Sequence, residues 1–318
     1  MSLPAGSRDS FLYHLMPPRT FSPASLLALS LSLSLSLSLS LSFAKEPKMA
    51  TIWTVSDEDS TVYLAGSVHL LREKDMPVPS GFDKAYAESE ELVFEIDMAA
   101  MSDPGMAQEM RKLGSLPEGE SLGDKFDPKT MKRLRSYLTK RKMAVEVFDS
   151  MTPGMVYLMI GSLEAARIGA KPELGLETRY YEKSVEDGKP SKGLETAAFQ
   201  MSRFNEFDLE MIQQLINEAL DEVDQGKDTL STIIAAWRSG NEKALSELIV
   251  EQTAPSPRMH EVLLTDRNKS WIPEVEKHLA TDRDVMFLVG AAHLVGEDSV
   301  VDLMREKGYQ VLQLANGE

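Results

Sequence analysis

The sequence predicts an α+β fold in which a central mixed β-sheet is built from the N-terminal and C-terminal parts of residues 45–318, here called the mature chain. Short apolar runs typical of strands lie at 52–55, 61–64, 91–97, 284–289 and 309–314, and the first two flank a polar turn at 56–60 that predicts a hairpin. Between them, residues 98–251 show helical periodicity and helix-capping signals. We therefore expect the two ends of the mature chain to pair in one sheet and a helical middle segment to cover it.

The composition limits the classes of function that the chain can serve. It has 318 residues, of which 42% are hydrophobic and 26% charged, values that are ordinary for a globular protein with a substantial core. Its net charge of −16 argues against nucleic-acid binding, because a phosphate backbone needs a basic surface. Cysteine is absent, so any metal must be held by imidazole and carboxylate groups.

Residues 1–44 differ from the rest of the chain and predict a cleaved secretory signal peptide. Leucine and serine alternate over residues 25–42, Arg19 precedes this stretch, and a small-x-small cleavage signal ends at Ala44. The stretch is too short and too rich in serine to predict a membrane span. Translation from Met16 would give a shorter and more usual leader.

Cleavage after Ala44 leaves residues 45–318, which we expect to form a single domain. Export of a cysteine-free chain fits a bacterial periplasm. No membrane span is predicted after cleavage, and the absence of a lipobox cysteine argues against a lipid anchor.

One sequence motif occurs near both ends of the mature chain, and it supplies the first candidate site residues. Each copy is an apolar run followed by Gly-x-x-His, as Gly66-Ser67-Val68-His69 and as Gly290-Ala291-Ala292-His293. Glycine permits a tight bend after a buried strand, and the histidine three residues later then points into a cleft. The chain has five histidines, so two in the same motif favour a shared role over two packed structural histidines.

A third strand-like stretch, Glu91–Asp97, carries carboxylates at Glu95 and Asp97 on one face. A carboxylate in a buried strand is costly unless it is paired, protonated or bound to metal. A helix predicted over residues 81–90 would make a β-α-β unit in which His69 and Glu95 meet at adjacent strand ends. Two histidines and a carboxylate so placed fit either a metal site or an acid/base site.

The helical middle contributes further polar candidates. Gly193 begins a stretch that predicts another helix, in which either Glu195 and Gln200 face the site or Glu195-Thr196 is a capping element. The dipeptide Arg267-Asn268 places a cation and an amide side by side after an apolar run. The methionine-rich segment 151–159 is typical of a core helix or of a wall of an apolar cleft.

Together these residues resemble the TraB/PrgY/GumN family, most closely its GumN-like branch. The matching features keep the family's order across residues 50–315: Gly66-Ser67-Val68-His69, Phe94-Glu95, Gly193-Leu194-Glu195-Thr196 with Gln200, Arg267-Asn268, and Val289 through Gly296. The family includes the Tiki proteases, which implies metal-dependent peptidases that use the two Gly-x-x-His motifs and a glutamate. It also shares a wider fold with erythromycin-esterase-like and haem-uptake ChaN-like proteins.

The resemblance implies an active-site set of His69, Glu95 and His293, with Arg267 and Asn268 nearby. The first hypothesis is a metal-dependent hydrolase acting on a peptide or small molecule, in which the set binds Mn, Co, Zn or Fe and Glu95 is third ligand or base. Arg267 would then stabilise an oxyanion and Asn268 orient the substrate. Two alternatives stay open: a metal-free esterase using Glu95 and His69 as base and acid, and a periplasmic peptide- or haem-binding protein without catalysis.

Overall fold

Six strands make up the sheet of this computed structural model, which describes residues 48–253 and 256–316. The strands are β1 Met49–Ser56, β2 Thr61–Ser67, β3 Glu91–Ile96, β4 Ser191–Glu195, β5 Val285–Gly290 and β6 Val311–Ala315. The helices are α1 Ser80–Glu88, α2 Pro104–Leu113, α3 Pro128–Lys140, α4 Val145–Asp149, α5 Pro153–Arg167, α6 Leu176–Asp187, α7 Ala197–Arg203, α8 Leu209–Gln225, α9 Thr229–Ser239, α10 Glu242–Thr253, α11 Pro257–His260, α12 Asp266–Leu279 and α13 Val300–Glu306.

The sheet is mixed, with the order β4-β3-β5-β2-β1-β6. The first four of these strands are parallel neighbours, whereas β1 pairs antiparallel with both β2 and β6. The predicted α+β class is therefore confirmed, and the strands from the two ends of the mature chain do pair. The predicted hairpin is also present, since Ile52 pairs with Ala65 and Ser56 with Thr61.

The β-α-β prediction was wrong in one respect, because β5 lies between β2 and β3. All six residues of β5 are buried, and its sequence is an uninterrupted apolar run. Such a run suits a strand that is covered on both faces at the centre of a parallel sheet, rather than at its edge. His69 and Glu95 therefore come from strands that are separated by the strand that leads to His293.

The stretch around Gly193 forms strand β4 instead of the start of a helix. A Cβ on Gly193 would lie 2.1 Å from the backbone nitrogen of Asp97, so only glycine allows this close approach to the chain after β3. Helix α7 begins later, at Ala197, and Thr196 caps it by accepting a hydrogen bond from the backbone N–H of Phe199. The capping role belongs to Thr196, which leaves the side chain of Glu195 free to turn toward the site.

Two hydrophobic clusters hold the described residues together. The sheet core contains the inward residues of the strands and the faces of α1, α6, α9, α12 and α13 that pack on them. The helical core lies among α3, α5 and α8 and includes Leu134, Ile160 and Leu215. The middle segment thus covers the sheet with some of its helices and builds its own apolar centre with the others.

The predicted leader, residues 1–44, lies outside the described residues, and the single domain of residues 45–318 stays a prediction. Within the ranges that the structure describes, no helix combines the length and the apolar character needed to cross a membrane.

The close approach at Gly193 predicts a large difference between two glycine-to-alanine variants. Gly193→Ala should lower the free energy of unfolding by about 1–3 kcal/mol, because its Cβ overlaps backbone that cannot move away. Gly161→Ala is the control, since no atom lies within 4 Å of the added Cβ in helix α5. That variant should gain about 0.5–1 kcal/mol from helix propensity. Equal urea-denaturation midpoints for the two variants would contradict the assignment of β4.

Candidate functional site

The candidate residues meet at one edge of the sheet, where the four parallel strands end. β2 ends at Ser67, two residues before His69, and β5 ends at Gly290, three residues before His293. Glu95 is the penultimate residue of β3, and Glu195 is the last residue of β4. The carboxyl ends of parallel strands are a usual position for ligand sites in sheets covered by helices.

His69 is held by a carboxylate that the sequence analysis missed. Its Nδ1 lies 2.7 Å from Oε1 of Glu177, in the first turn of α6, and the hydroxyl of Ser67 donates to the same oxygen. The charge of Glu177 raises the pKa of His69 above its ordinary value. The carboxylate thereby fixes Nδ1 as a proton donor and leaves Nε2 available, in a side chain that is 63% exposed.

Glu95 is buried, and three hydrogen-bond donors hold it. Its Oε2 accepts from the backbone N–H of Gly290 at 2.9 Å, and its Oε1 accepts from Gln200 Nε2 at 3.0 Å and Arg267 Nη2 at 2.5 Å. Burial raises the pKa of Glu95, but the positive charges of Arg267 and His69 outweigh it and hold the pKa well below its usual range. Glu95 is therefore an ionised carboxylate whose oxygens are already engaged, which makes it a better ligand or anchor than a general base.

Arg267 lies at the centre of the site, in the first turn of α12. Its Nη2 bonds Glu95 and also Glu195 Oε2, at 2.8 Å, while its Nε lies 3.0 Å from Glu195 Oε1. Trp271 Nε1 donates to the same Oε1 at 2.9 Å, and the guanidinium lies over the Trp271 ring. Burial lowers the pKa of Arg267, but the two carboxylates outweigh it and keep the group charged.

His293 is a neutral imidazole whose tautomer is set by its neighbour. Asn268 Nδ2 donates to the carbonyl of Asp298 at 2.9 Å, so Asn268 Oδ1 accepts from His293 Nδ1 at 2.6 Å. The lone pair is therefore on Nε2, where Arg267 Nη1 lies at 3.2 Å. Burial lowers the pKa of His293 to about 3, with Glu95 opposing the shift and Arg267 adding to it.

Gly290 lies where the two histidines and Glu95 approach each other. A Cβ on this residue would lie 3.2 Å from Glu95 Oε2, 3.5 Å from His69 Nε2 and 3.5 Å from His293 Cδ2. A side chain here would fill the space that these three groups share, so the absence of one keeps the space open. Within residues 48–253 and 256–316, however, no three histidine, aspartate or glutamate side chains stand as a ready metal-binding group.

The site opens into a cavity of about 510 Å³. His69, Glu95, Gln200, Arg267 and His293 line its end at the sheet, and leucine and isoleucine side chains line much of the rest. From the methionine-rich segment 151–159, only Leu158 reaches this cavity. A larger cavity of about 640 Å³ lies between α3 and α8 and contains none of the predicted site residues.

The structure thus brings together His69, Glu95, Gln200, Arg267 and His293, and Asn268 contacts His293. It adds Glu177 and gives Glu195 a definite position beside Arg267. A signal for both was present in the sequence, because Gly-Leu-Glu-Thr occurs twice, at 175–178 and at 193–196. Asp97, in contrast, lies after β3 and bonds the backbone N–H of Ala99 rather than the site.

Comparison with known proteins places the chain among proteins of one family. The sequence profile described as "TraB/PrgY/gumN family" matches residues 51–313. The chain is 22% identical to "Metalloprotease TIKI1" of Danio rerio, over 84% of this chain and 63% of that protein. It is 23% identical to "Metalloprotease TIKI2" of Xenopus tropicalis, over 86% and 62%.

The chain therefore spans less than two thirds of the length of these TIKI relatives. It is also 21% identical to "Uncharacterized protein YbaP" of Escherichia coli (strain K12), over 76% of this chain and 87% of that protein. No solved structure matches the chain at a significant level.

The opposite environments of the two histidines predict opposite titration behaviour. In heteronuclear NMR, His69 should titrate above its ordinary pKa of 6.5, whereas His293, with a pKa of about 3, should stay neutral in mildly acidic solution. Glu177→Gln should bring the pKa of His69 back toward 6.5. Since the folded-state pKa of His69 is raised, its pairing stabilises the fold below pH 6.5 and loses this effect as pH rises through the folded value. An unchanged His69 pKa in Glu177→Gln would contradict the assigned pairing.

Proposed function

This chain belongs to the TraB/PrgY/gumN family, and from that premise we propose that it is a hydrolase that uses a divalent metal ion to cleave the bond between the carbonyl carbon and the leaving group of a peptide-like substrate. One observation carries the proposal. Both His69 and His293 have Nδ1 held by a protein acceptor, which directs Nε2 of each toward the space that they share with the carboxylate of Glu95.

The chemistry of these donors fits a metal ion. Metal-ligating histidines usually have the second ring nitrogen bonded to a carboxylate or carbonyl group, as Glu177 and Asn268 provide here. His293 is already neutral, so it needs no deprotonation before it can act as a ligand. His69 Nε2, His293 Nε2 and Glu95 would hold the ion, a donor set that suits Mn, Co, Zn or Fe.

A divalent ion held by these residues would act as a Lewis acid that activates water. The protein side chains supply the rest of the reaction. His69 and Glu95 would bind and orient the ion. Gln200 and the Gly290 N–H hold the Glu95 carboxylate in place. Arg267 presents a permanent positive charge for the carbonyl oxygen of the substrate as that oxygen becomes negative.

Arg267 must move for all three donors to be free, because it bonds both Glu95 Oε1 and His293 Nε2. Glu195 makes that movement feasible. It accepts from Nε and Nη2 of Arg267, so the guanidinium can release the other two partners and stay paired. Binding of an ion and withdrawal of Arg267 onto Glu195 are thus coupled in this proposal.

The position of Arg267 also favours a second candidate, a hydrolase that uses no metal. The guanidinium already lies between Glu95 and His293, where it can polarise a substrate carbonyl without any ion. His69, charged because of Glu177, would protonate the leaving group, and Glu95 would orient the attacking water. Metal analysis separates the two candidates, and a protein that binds ligands without turnover is the third outcome.

Metal content is the first test of the proposal. The chain purified without a metal-affinity tag should carry about one equivalent of a divalent ion, which His69→Ala and His293→Ala should each lose because a ligand is removed. His260→Ala, a histidine outside the site on α11, is the matched control and should keep the ion. Elemental analysis and circular dichroism give metal content and folding together. Equal metal content in all four proteins would rule out this site. A metal-free wild type with no thermal shift from any divalent ion would favour the second candidate.

Removal of Arg267 tests whether it competes with the ion. Arg267→Ala should lower the free energy of unfolding by about 3–5 kcal/mol, since Glu95 and Glu195 lose their buried partner. A divalent ion should then raise the melting temperature of the variant more than that of the wild type. Arg133→Ala breaks a more exposed pair with Asp221 and should cost about 1 kcal/mol or less. An ion effect equal in the wild type and Arg267→Ala would contradict the competition.

A further inference from the structure

The cavity at the site has an apolar half that the proposed reaction does not use. Most of its polar groups lie at the sheet edge, with Arg203 of α7 an exception, whereas the opposite walls come from α9, α10 and the π-helical turn of residues Glu261–Thr265 before α12. These walls present aliphatic side chains, among them Leu230, Ile233, Leu245, Leu248 and Leu263. A site that needed only a small polar substrate would not require so much apolar wall next to a buried charge network.

A second cavity continues this apolar surface away from the reacting groups. It has a volume of about 350 Å³ and lies among α5, α8 and α9. It shares Leu70, Leu230 and Ile233 with the first cavity, so it begins where the first one ends. Its other walls include Ile160, Ile168 and Val223, and charged residues such as Lys227 and Asp228 lie at its rim.

The residues shared by the two cavities limit what can pass between them. A peptide backbone carries an N–H and a C=O at almost every residue, and each needs a partner when it leaves water. Leu70, Leu230 and Ile233 have aliphatic side chains that supply none. A hydrocarbon chain needs no hydrogen-bond partner and gains free energy from the same contacts.

We propose that the substrate has a long aliphatic acyl chain, whose carbonyl lies at Arg267 and whose tail follows the two cavities past Ile233. The inference rests on the proposed hydrolase function and names its substrate class. The bond between the acyl carbon and the leaving nitrogen or oxygen breaks, the oxygen of water bonds to the acyl carbon, and a proton passes to the leaving group. The products are a fatty acid and an amine or alcohol, and no oxidant or reductant is needed.

The dependence of hydrolysis on the length of the acyl chain, measured with the full protein, tests the proposal. Two series of chromogenic substrates, acyl anilides and acyl phenyl esters, would carry butanoyl, octanoyl or dodecanoyl groups, so that the two arms separate amide from ester substrates. In whichever series is hydrolysed, kcat/KM should rise by about fourfold for each methylene that enters the cavities. A flat or falling dependence from butanoyl to octanoyl overturns the proposal.

A bulky side chain at Ile233, one of the residues that line both cavities, should shorten the acyl chain that the protein prefers. Ile233→Trp should reduce the ratio of kcat/KM for dodecanoyl and butanoyl substrates at least tenfold, because the indole blocks the way to the second cavity. Val185→Trp adds the same side chain at an exposed position on α6 and should leave the ratio unchanged. Melting temperatures show whether both variants fold. A dodecanoyl-to-butanoyl ratio that Ile233→Trp leaves unchanged overturns the proposed path.

Binding without turnover separates this inference from the proposed function. Calorimetry with dodecanoate, octanoate and butanoate needs no hydrolysis, and affinity should increase with chain length and fall in Ile233→Trp. If fatty acids bind in this way but no acyl compound is hydrolysed, the proposed function fails and the aliphatic site stands. If acyl compounds are hydrolysed without chain-length preference and dodecanoate does not bind, the function stands and the aliphatic site is wrong.

Discussion

The buried ion pair of Arg267 with Glu95 and Glu195 is the interaction on which the site depends. Two carboxylates at the ends of β3 and β4 lie in an environment that would strongly disfavour their charges without a partner. One guanidinium, delivered by the first turn of α12, compensates both. Because its fork also reaches His293, the same side chain fixes the relative positions of three segments of the chain that are far apart in sequence.

The two Gly-x-x-His motifs are alike in sequence and opposite in electrostatics. Glu177 makes His69 a cation at the exposed side of the site, while burial and Arg267 keep His293 neutral at its closed side. Before any ion binds, the site therefore has one histidine that carries a proton on Nε2 and one that offers a lone pair there. As a metal ligand, His69 would first give up that proton. Chemistry on a carbonyl needs both abilities, and the arrangement places them on either side of Gly290.

Local pattern was enough to predict the α+β class and to select His69, Glu95 and His293, since each follows or lies within an apolar run, whereas Arg267 was selected through the family resemblance. Local pattern did not predict which residues and strands pair when they are far apart in the sequence. Glu177 meets His69 across 108 residues, and β5 enters the sheet between β2 and β3 from the far end of the chain. β4 was assigned to a helix because five residues carry little periodicity and the close contact at Gly193 is tertiary. The repeated Gly-Leu-Glu-Thr at 175–178 and 193–196 is the feature of the sequence that Glu177 shares with Glu195.

The most direct test of this account is a pair of crystal structures, one free of divalent ions and one soaked in manganese, with anomalous data collected for the ion. The account predicts that Arg267 contacts His293 Nε2 in the first. In the second, we expect an anomalous peak among His69, Glu95 and His293, with Arg267 withdrawn onto Glu195. A manganese ion bound to these residues while Arg267 still contacts His293 would contradict the coupling. No peak at the site, with Arg267 unmoved, would contradict the metal-dependent proposal and leave Arg267 as the permanent cation of the site.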